Sequence, residues 1–189
     1  YIGWIENINI HKISQKDFKD LNNKMFFSSE ELKLINPENK QTQLIPIGSQ
    51  ISSCSFLNYD LKFSEKTQAV SPYDFINSPY LWGGKTKYGI DCSGLVQIVL
   101  RSKNLFMPRD AKDQANYGKK IPFNFLKKND LCFFGKNNHN ITHVGIYLGK
   151  NEIIHAFEKV RVDKINVKGI LNTDTLKITH NLISTRRIT

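Results

Sequence analysis

The sequence predicts an α+β fold: one buried helix followed by an antiparallel sheet, with a small all-β barrel ahead of them. Three observations predict it. Residues 93–103 are apolar around most of a helical circumference and hold no breaker beyond Gly94 in the first turn. The runs DLCFF (130–134), THVGIYLG (142–149) and EIIHAF (152–157) read as strands, the last two joined by a Gly149-Lys150-Asn151 turn that signals a hairpin. The first seventy residues are short apolar runs separated by polar turns, the pattern of a small barrel. The division falls at 1–70 and 71–189.

Along the chain, strands are expected at 1–6, 8–14, 42–47, 50–56 and 61–63, with Pro46 and Gly48 punctuating the middle. Residues 30–36 read as one helical turn or a long loop, and 71–77 as a short helix. Prolines and glycines before Asp91 forbid regular structure there, so Asp91 is the natural N-cap of the helix that follows. Residues 176–178 and 182–187 are expected to add edge strands.

Apolar residues make up 40% of the 189 and charged residues 23%, which excludes a disordered chain or a small disulfide scaffold. No apolar run approaches the ~18 residues of a membrane span. The net charge of +10 suits an acidic partner or simply solubility. Residues 101–128 carry eight Lys/Arg against two Asp/Glu, yet no nucleic-acid motif accompanies them, so no nucleic-acid partner is expected. The chain starts with no signal-like apolar segment, which favours a cytoplasmic place.

Cys54 and Cys132 sit in apolar surroundings and read as buried small hydrophobes. Cys92 instead falls on the first turn of the expected helix, where unpaired N–H groups and the helix dipole lower a thiol pKa. Asp91 opposes that, so a histidine partner is needed. His143 and His155 lie on the two strands of the hairpin. A turn centred on 149 or 150 gives an even register sum, which puts both rings on one face. His143 can then accept the Cys92 proton while His155 orients it. Two half-buried core histidines, or a zinc site with Cys92, remain open alternatives. His11 reads as structural, and His139 and His180 as solvated.

PYLWGGKTKYGIDCSGLVQ (79–97), PRDA (108–111), LKKNDLCFF, THVGIYLG and IIHA follow one another in order. Together they resemble the NlpC-type cysteine peptidases of bacterial cell-wall metabolism. The resemblance implies a papain-like domain with the cysteine at a helix N-terminus and the histidines on the sheet. It implies Cys92 as nucleophile, His143 as base and His155 as the polar third member. It places Tyr80 near the oxyanion, and Asp91 and Ser93 where some members hold a free substrate amine; Arg109 of PRDA joins this substrate-binding set or pairs with Asp110 or Asp113. Residues 1–70 are similar, more weakly, to bacterial SH3-type modules.

The implied activity is hydrolysis of the γ-D-glutamyl–diamino acid amide in peptidoglycan stem peptides or muropeptides, by a monomer that needs no cofactor and no metal. Stems with a free N-terminal L-alanine are the expected substrates, if residues 1–70 close the far end of the cleft. The rival readings are a wall amidase or lysin with the same three residues, and a wall-binding protein with an idle catalytic domain.

Overall fold

The computed structural model describes residues 3–10, 12–23, 25–52, 54 and 69–189. The expected strand 61–63, the start of 1–6 and His11 lie outside the described residues.

The first part departs from the expected run of strands. Residues 3–6 form no strand, and 8–14 gives way to a 3-10 turn at Asn7–Asn9 followed by helix α1, Gln15–Asn23. Ser14 explains the change: its hydroxyl oxygen accepts the Asp17 N–H at 3.1 Å, which starts a helix where a strand would have continued. Residues 30–36 hold a strand rather than a helical turn. Strand β1 (Leu32–Ile35) pairs antiparallel with β2 (Thr42–Ile45), Leu32 opposite Ile45. The Asn36 side chain makes the turn between them by accepting the Glu38 and Asn39 N–H groups. Beyond β2, Gln50 makes one bridge to Phe27, and no barrel is seen among the described residues of this part.

This part packs on the helix that carries Cys92. Ile47 enters the main core, Arg101 donates to the Gly48 carbonyl, and its guanidinium lies 5.0 Å above the Phe27 ring. The Tyr88 hydroxyl donates to Glu31 at 2.8 Å.

In the second part, a 3-10 turn at Pro72–Phe75 is capped by Ser71 and Asp74. The short strands β3 (Lys85–Thr86) and β4 (Gly89–Ile90) lead into helix α2, Cys92–Arg101, whose N-cap is Asp91. Helix α3 (Ala111–Gln114) and strand β5 (Lys119–Lys120) follow. The remaining strands are β6 (Leu131–Asn137), β7 (Asn140–Gly149), β8 (Glu152–Phe157), β9 (Lys159–Asn166), β10 (Gly169–Leu171) and β11 (Ile178–Arg187).

The sheet order is β10-β9-β8-β7-β6-β11-β5, and β10 also pairs with β11. That extra pairing closes six strands into a barrel. Of the expected edge strands 176–178 and 182–187, Ile178 and 182–187 fall in one strand, β11, paired on both sides, and 176–177 lie before it. The barrel's outer face at Leu131, Phe133, Val144, Ile146, Ile154 and Ala156 packs with Leu95, Val96 and Val99 of α2 in one core. The opposite face contributes Cys132, Phe134, Tyr147, Ile153, Ile165 and Ile170, joined by Leu182, to a second core inside the barrel. Alternation along each strand divides the two sets.

Candidate active site

Asp91 accepts the Gly94 N–H at 2.7 Å and so fixes the start of α2, which puts Cys92 on its first residue. The Cys92 sulfur receives the backbone N–H of Val144, the neighbour of His143, and those of Cys92 and Ser93. The helix therefore presents the sulfur to the strand that carries the histidine. Burial pushes the Cys92 thiol up, and the Asp91 charge adds to this; the backbone donors only partly offset them. The expected lowering by the helix N-terminus is thus overturned, because the thiol is 7% exposed and desolvation dominates.

The hairpin register puts Ile146 opposite Ile154 and Tyr147 opposite Ile153. Both index sums are 300, so His143 and His155 are diagonal neighbours on the inner face of the barrel. His143 Nε2 lies 2.9 Å from His155 Nδ1. His155 is fully buried, and burial together with His155 and His180 pushes His143 well below the ordinary imidazole range. These directions describe a neutral imidazole at His143 and a neutral thiol at Cys92.

Two residues that the sequence reading left out join this site. His155 Nε2 lies 3.0 Å from Asp163 Oδ2, a contact buried on both sides. His180, expected in solvent, stacks on His143 with ring centroids 4.2 Å apart and is pushed down to about 4 by burial and His155. The closure of β11 against β10 and β6 turns His180 inward with Leu182. The available signal for Asp163 was its place in KVRVDKIN, where a charged residue shares the Ile165 face of an alternating strand. His139 is exposed, as expected.

Asp91 does more than cap. It also accepts the Gly83 N–H at 2.7 Å, and Arg109 grips both of its oxygens, Nη1 at 3.0 Å from Oδ1. Burial opposes ionisation of Asp91, yet the Arg109 guanidinium and the Gly94 and Gly83 N–H groups outweigh it and hold the carboxyl below its usual range. Arg109 Nη1 also donates to Ser93 Oγ at 2.8 Å. The geometry thus gives Arg109 an inward partner in Asp91, and Asp91 already has a cation.

Two adjoining cavities flank this group. One, of about 500 Å³, is lined by residues that include Trp82, Asp91, Cys92, Ser93, Arg109 and Lys112. The other, of about 430 Å³, is lined by His143, Ala156, Phe157, Glu158 and His180. Tyr80 and Thr142 line both, so Tyr80, 39% exposed, stands between them near Cys92. Every residue lining either cavity lies at or after Tyr80. Among the described residues, no group of three or more His, Cys, Asp or Glu side chains is placed to hold a metal ion, and no helix is long and apolar enough to cross a membrane.

A buried thiol at a helix N-terminus beside histidines on a barrel is the arrangement of the papain-like class. The chain belongs to the NlpC/P60 family, whose model matches residues 77–179. It is 40% identical over 84 residues to the gamma-D-glutamyl-L-lysine dipeptidyl-peptidase of Bacillus subtilis, a match covering 43% of this chain and 28% of that protein. It is 34% identical over 126 residues to the murein DD-endopeptidase MepS/murein LD-carboxypeptidase of Escherichia coli, covering 66% of each. The crystal structure of an NlpC/P60 family protein from Bacillus cereus has the same fold, with a TM-score of 0.66 at 21% identity over 92% of this chain and 66% of that one. The matches thus span less than two thirds of these relatives' own lengths.

Proposed function

We propose that this chain is a cysteine peptidase that hydrolyses the amide between the γ-carboxyl of D-glutamate and a diamino acid in peptidoglycan stem peptides. The observations that carry the reading are Cys92 at the N-terminus of α2, with the Val144 backbone N–H acting on its thiol, and the hydrogen-bonded pair His143–His155, of which His143 is the neighbour of Val144 on β7. The name of the Bacillus subtilis relative, a gamma-D-glutamyl-L-lysine dipeptidyl-peptidase, supports the choice of bond.

The depressed His143 and raised Cys92 call for proton transfer during attack rather than a standing ion pair. The thiol proton passes to His143 as the sulfur bonds to the scissile carbonyl carbon. The Cys92 N–H and the Tyr80 hydroxyl face the oxyanion. His143 returns the proton to the leaving amine as the C–N bond breaks. Water, deprotonated by His143, then cleaves the thioester to a carboxylic acid and restores the thiol. The amine leaves over His143, so the diamino acid occupies the cavity with Glu158 and His180, and the glutamyl part the cavity with Arg109 and Lys112.

A restriction to stems with a free L-alanine draws on Asp91 and Ser93 as amine partners. The Arg109 pair favours a second reading, in which wall-linked stems are also cut, because Asp91 is already neutralised. The deciding experiment is mass spectrometry of products from L-Ala-γ-D-Glu-diaminopimelate and its N-acetylated and muramyl-linked forms. Cleavage of the first alone supports free-stem trimming, and similar rates on all three support action on the wall. No glutamyl–diamino acid cleavage in any form, or undiminished cleavage by Cys92→Ala, overturns the proposal.

A further inference from the structure

We propose that Asp163 is a positioning residue that sets the protons on two histidines in series, so that His143 meets Cys92 with a bare nitrogen. The proposal rests on the reading of Cys92 and His143 as nucleophile and base.

The argument is one of donor and acceptor counting. Asp163 is fully buried on the inner face of the barrel. Its Oδ1 accepts from the Thr173 N–H at 2.9 Å, the Thr173 hydroxyl at 2.9 Å and Arg161 Nη2 at 3.0 Å. Its Oδ2 lies 2.8 Å from Arg161 Nε and 3.0 Å from His155 Nε2. A carboxyl group surrounded by these donors is an anion and has no proton to give. The hydrogen between Asp163 and His155 therefore sits on His155 Nε2. With a single N–H on the His155 ring, its Nδ1 is an acceptor. His155 Nδ1 is the atom 2.9 Å from His143 Nε2, so that hydrogen sits on His143. The Nδ1 of His143 is left with its lone pair, the form a general base requires.

Without Asp163 the pair is undirected, because two neutral imidazoles can share their hydrogen bond in either sense. In the opposite sense His143 Nδ1 carries hydrogen and cannot accept the Cys92 proton. When His143 does take that proton, its Nε2–H still donates to His155, and the Asp163 carboxylate stabilises the imidazolium through the intervening ring. Among the described residues, the other charged or titratable groups in contact with these three side chains are Arg161, itself paired with Asp174 at 2.7 Å, and His180.

Asp163→Asn reverses the device. The three donors at Oδ1 hold the amide oxygen in that place, so the amide NH₂ turns toward His155 Nε2 and requires it to be the acceptor. Both rings then change tautomer. The test uses the full chain. In the unaltered protein at neutral pH, long-range nitrogen–proton correlation spectra assign the protonated nitrogen of each ring. Both His143 and His155 are expected as Nε2–H, and an Nδ1–H form at either ring overturns the proposal whatever the variants do. For Asp163→Asn, Nδ1–H signals and a fall in kcat of at least about tenfold with KM within about twofold are expected. Asp174→Asn loosens Arg161 without touching His155 and should keep kcat. Equal losses in the two variants, or an unchanged kcat in folded Asp163→Asn, overturn the proposal. Retained activity in Cys92→Ala would instead overturn the nucleophile reading and leave the tautomer result standing.

Discussion

Cys92 is 7% exposed and lies at the edge of α2's buried face in the main core. The sulfur is the only side-chain atom that Cys92→Ala removes. That variant is expected to lose all but a few per cent of turnover while its thermal midpoint stays nearly unchanged, as checked by product assay and calorimetry together. Arg109 differs. Its partner Asp91 has a side chain 5% exposed, and removal of the guanidinium leaves a buried carboxylate with the Gly83 and Gly94 N–H groups and the Ser93 hydroxyl but no cation. Breaking a buried pair from one side costs about 3–5 kcal/mol, less here because Arg109 is 23% exposed. Arg109→Met should therefore lower the urea midpoint clearly, whereas Lys112→Met at the same cavity should not. At this scale the place of Cys92 at the helix start and the shared face of the two histidines were legible, because each depends on local geometry: a helix cap, and the parity of a hairpin. Asp163 depends on the register of β8 against β9, in which His155 faces Arg161 and Ile153 faces Asp163, and no turn motif in the sequence announced that register.

Helix α2 carries both the buried face and the proposed nucleophile. Its glycine looks like a candidate for stabilisation, since alanine in a helix is worth about 1 kcal/mol over glycine. The surroundings reverse the sign. A Cβ on Gly94 would stand 2.5 Å from the Gly84 carbonyl oxygen and 2.9 Å from Asp91 Oδ1, and both are fixed parts of the cap. Gly94→Ala should cost about 1–3 kcal/mol, the range for overpacking, and should also slow alkylation of Cys92 by displacing the cap. A chemical-denaturation midpoint and a timed iodoacetamide reaction check the two effects. The helix and the strands β6 to β8 were readable because each has a strong period and clear breakers. The β1–β2 hairpin was not, because LKLI is only four residues and its partner comes after a proline-containing turn. Helix α1 was missed for the opposite reason: its start depends on the Ser14 hydroxyl, and a short alternation before it mimics a strand.

The closed barrel sets how the whole molecule responds to acid. His180 is pushed down to about 4 from an ordinary 6.5, and His143 lies well below 6.5, both because burial disfavours the charged ring. The unfolded chain therefore binds more protons than the folded one as pH drops below 6.5. Stability is greatest above that value and falls as pH approaches about 4. A thermal midpoint that declines through this window is expected. His180→Phe should make the decline shallower, since phenylalanine keeps the ring contacts with Phe134 and Phe157 but binds no proton. An unchanged slope would mean that His180 carries its charge in the folded protein.

The sequence by itself determined the order of helix and sheet, the cap on the cysteine helix and the shared face of His143 and His155. All of these follow from periods and turns within about twenty residues. Only the tertiary structure decided that β11 closes a barrel, that Arg109 reaches back to Asp91, that burial raises the thiol, and that His180 and Asp163 join the histidine pair. The physical reason is common to all four. Each depends on which distant groups share a water-poor interior, and desolvation and strand register there are set by the packed whole rather than by any neighbour in the chain.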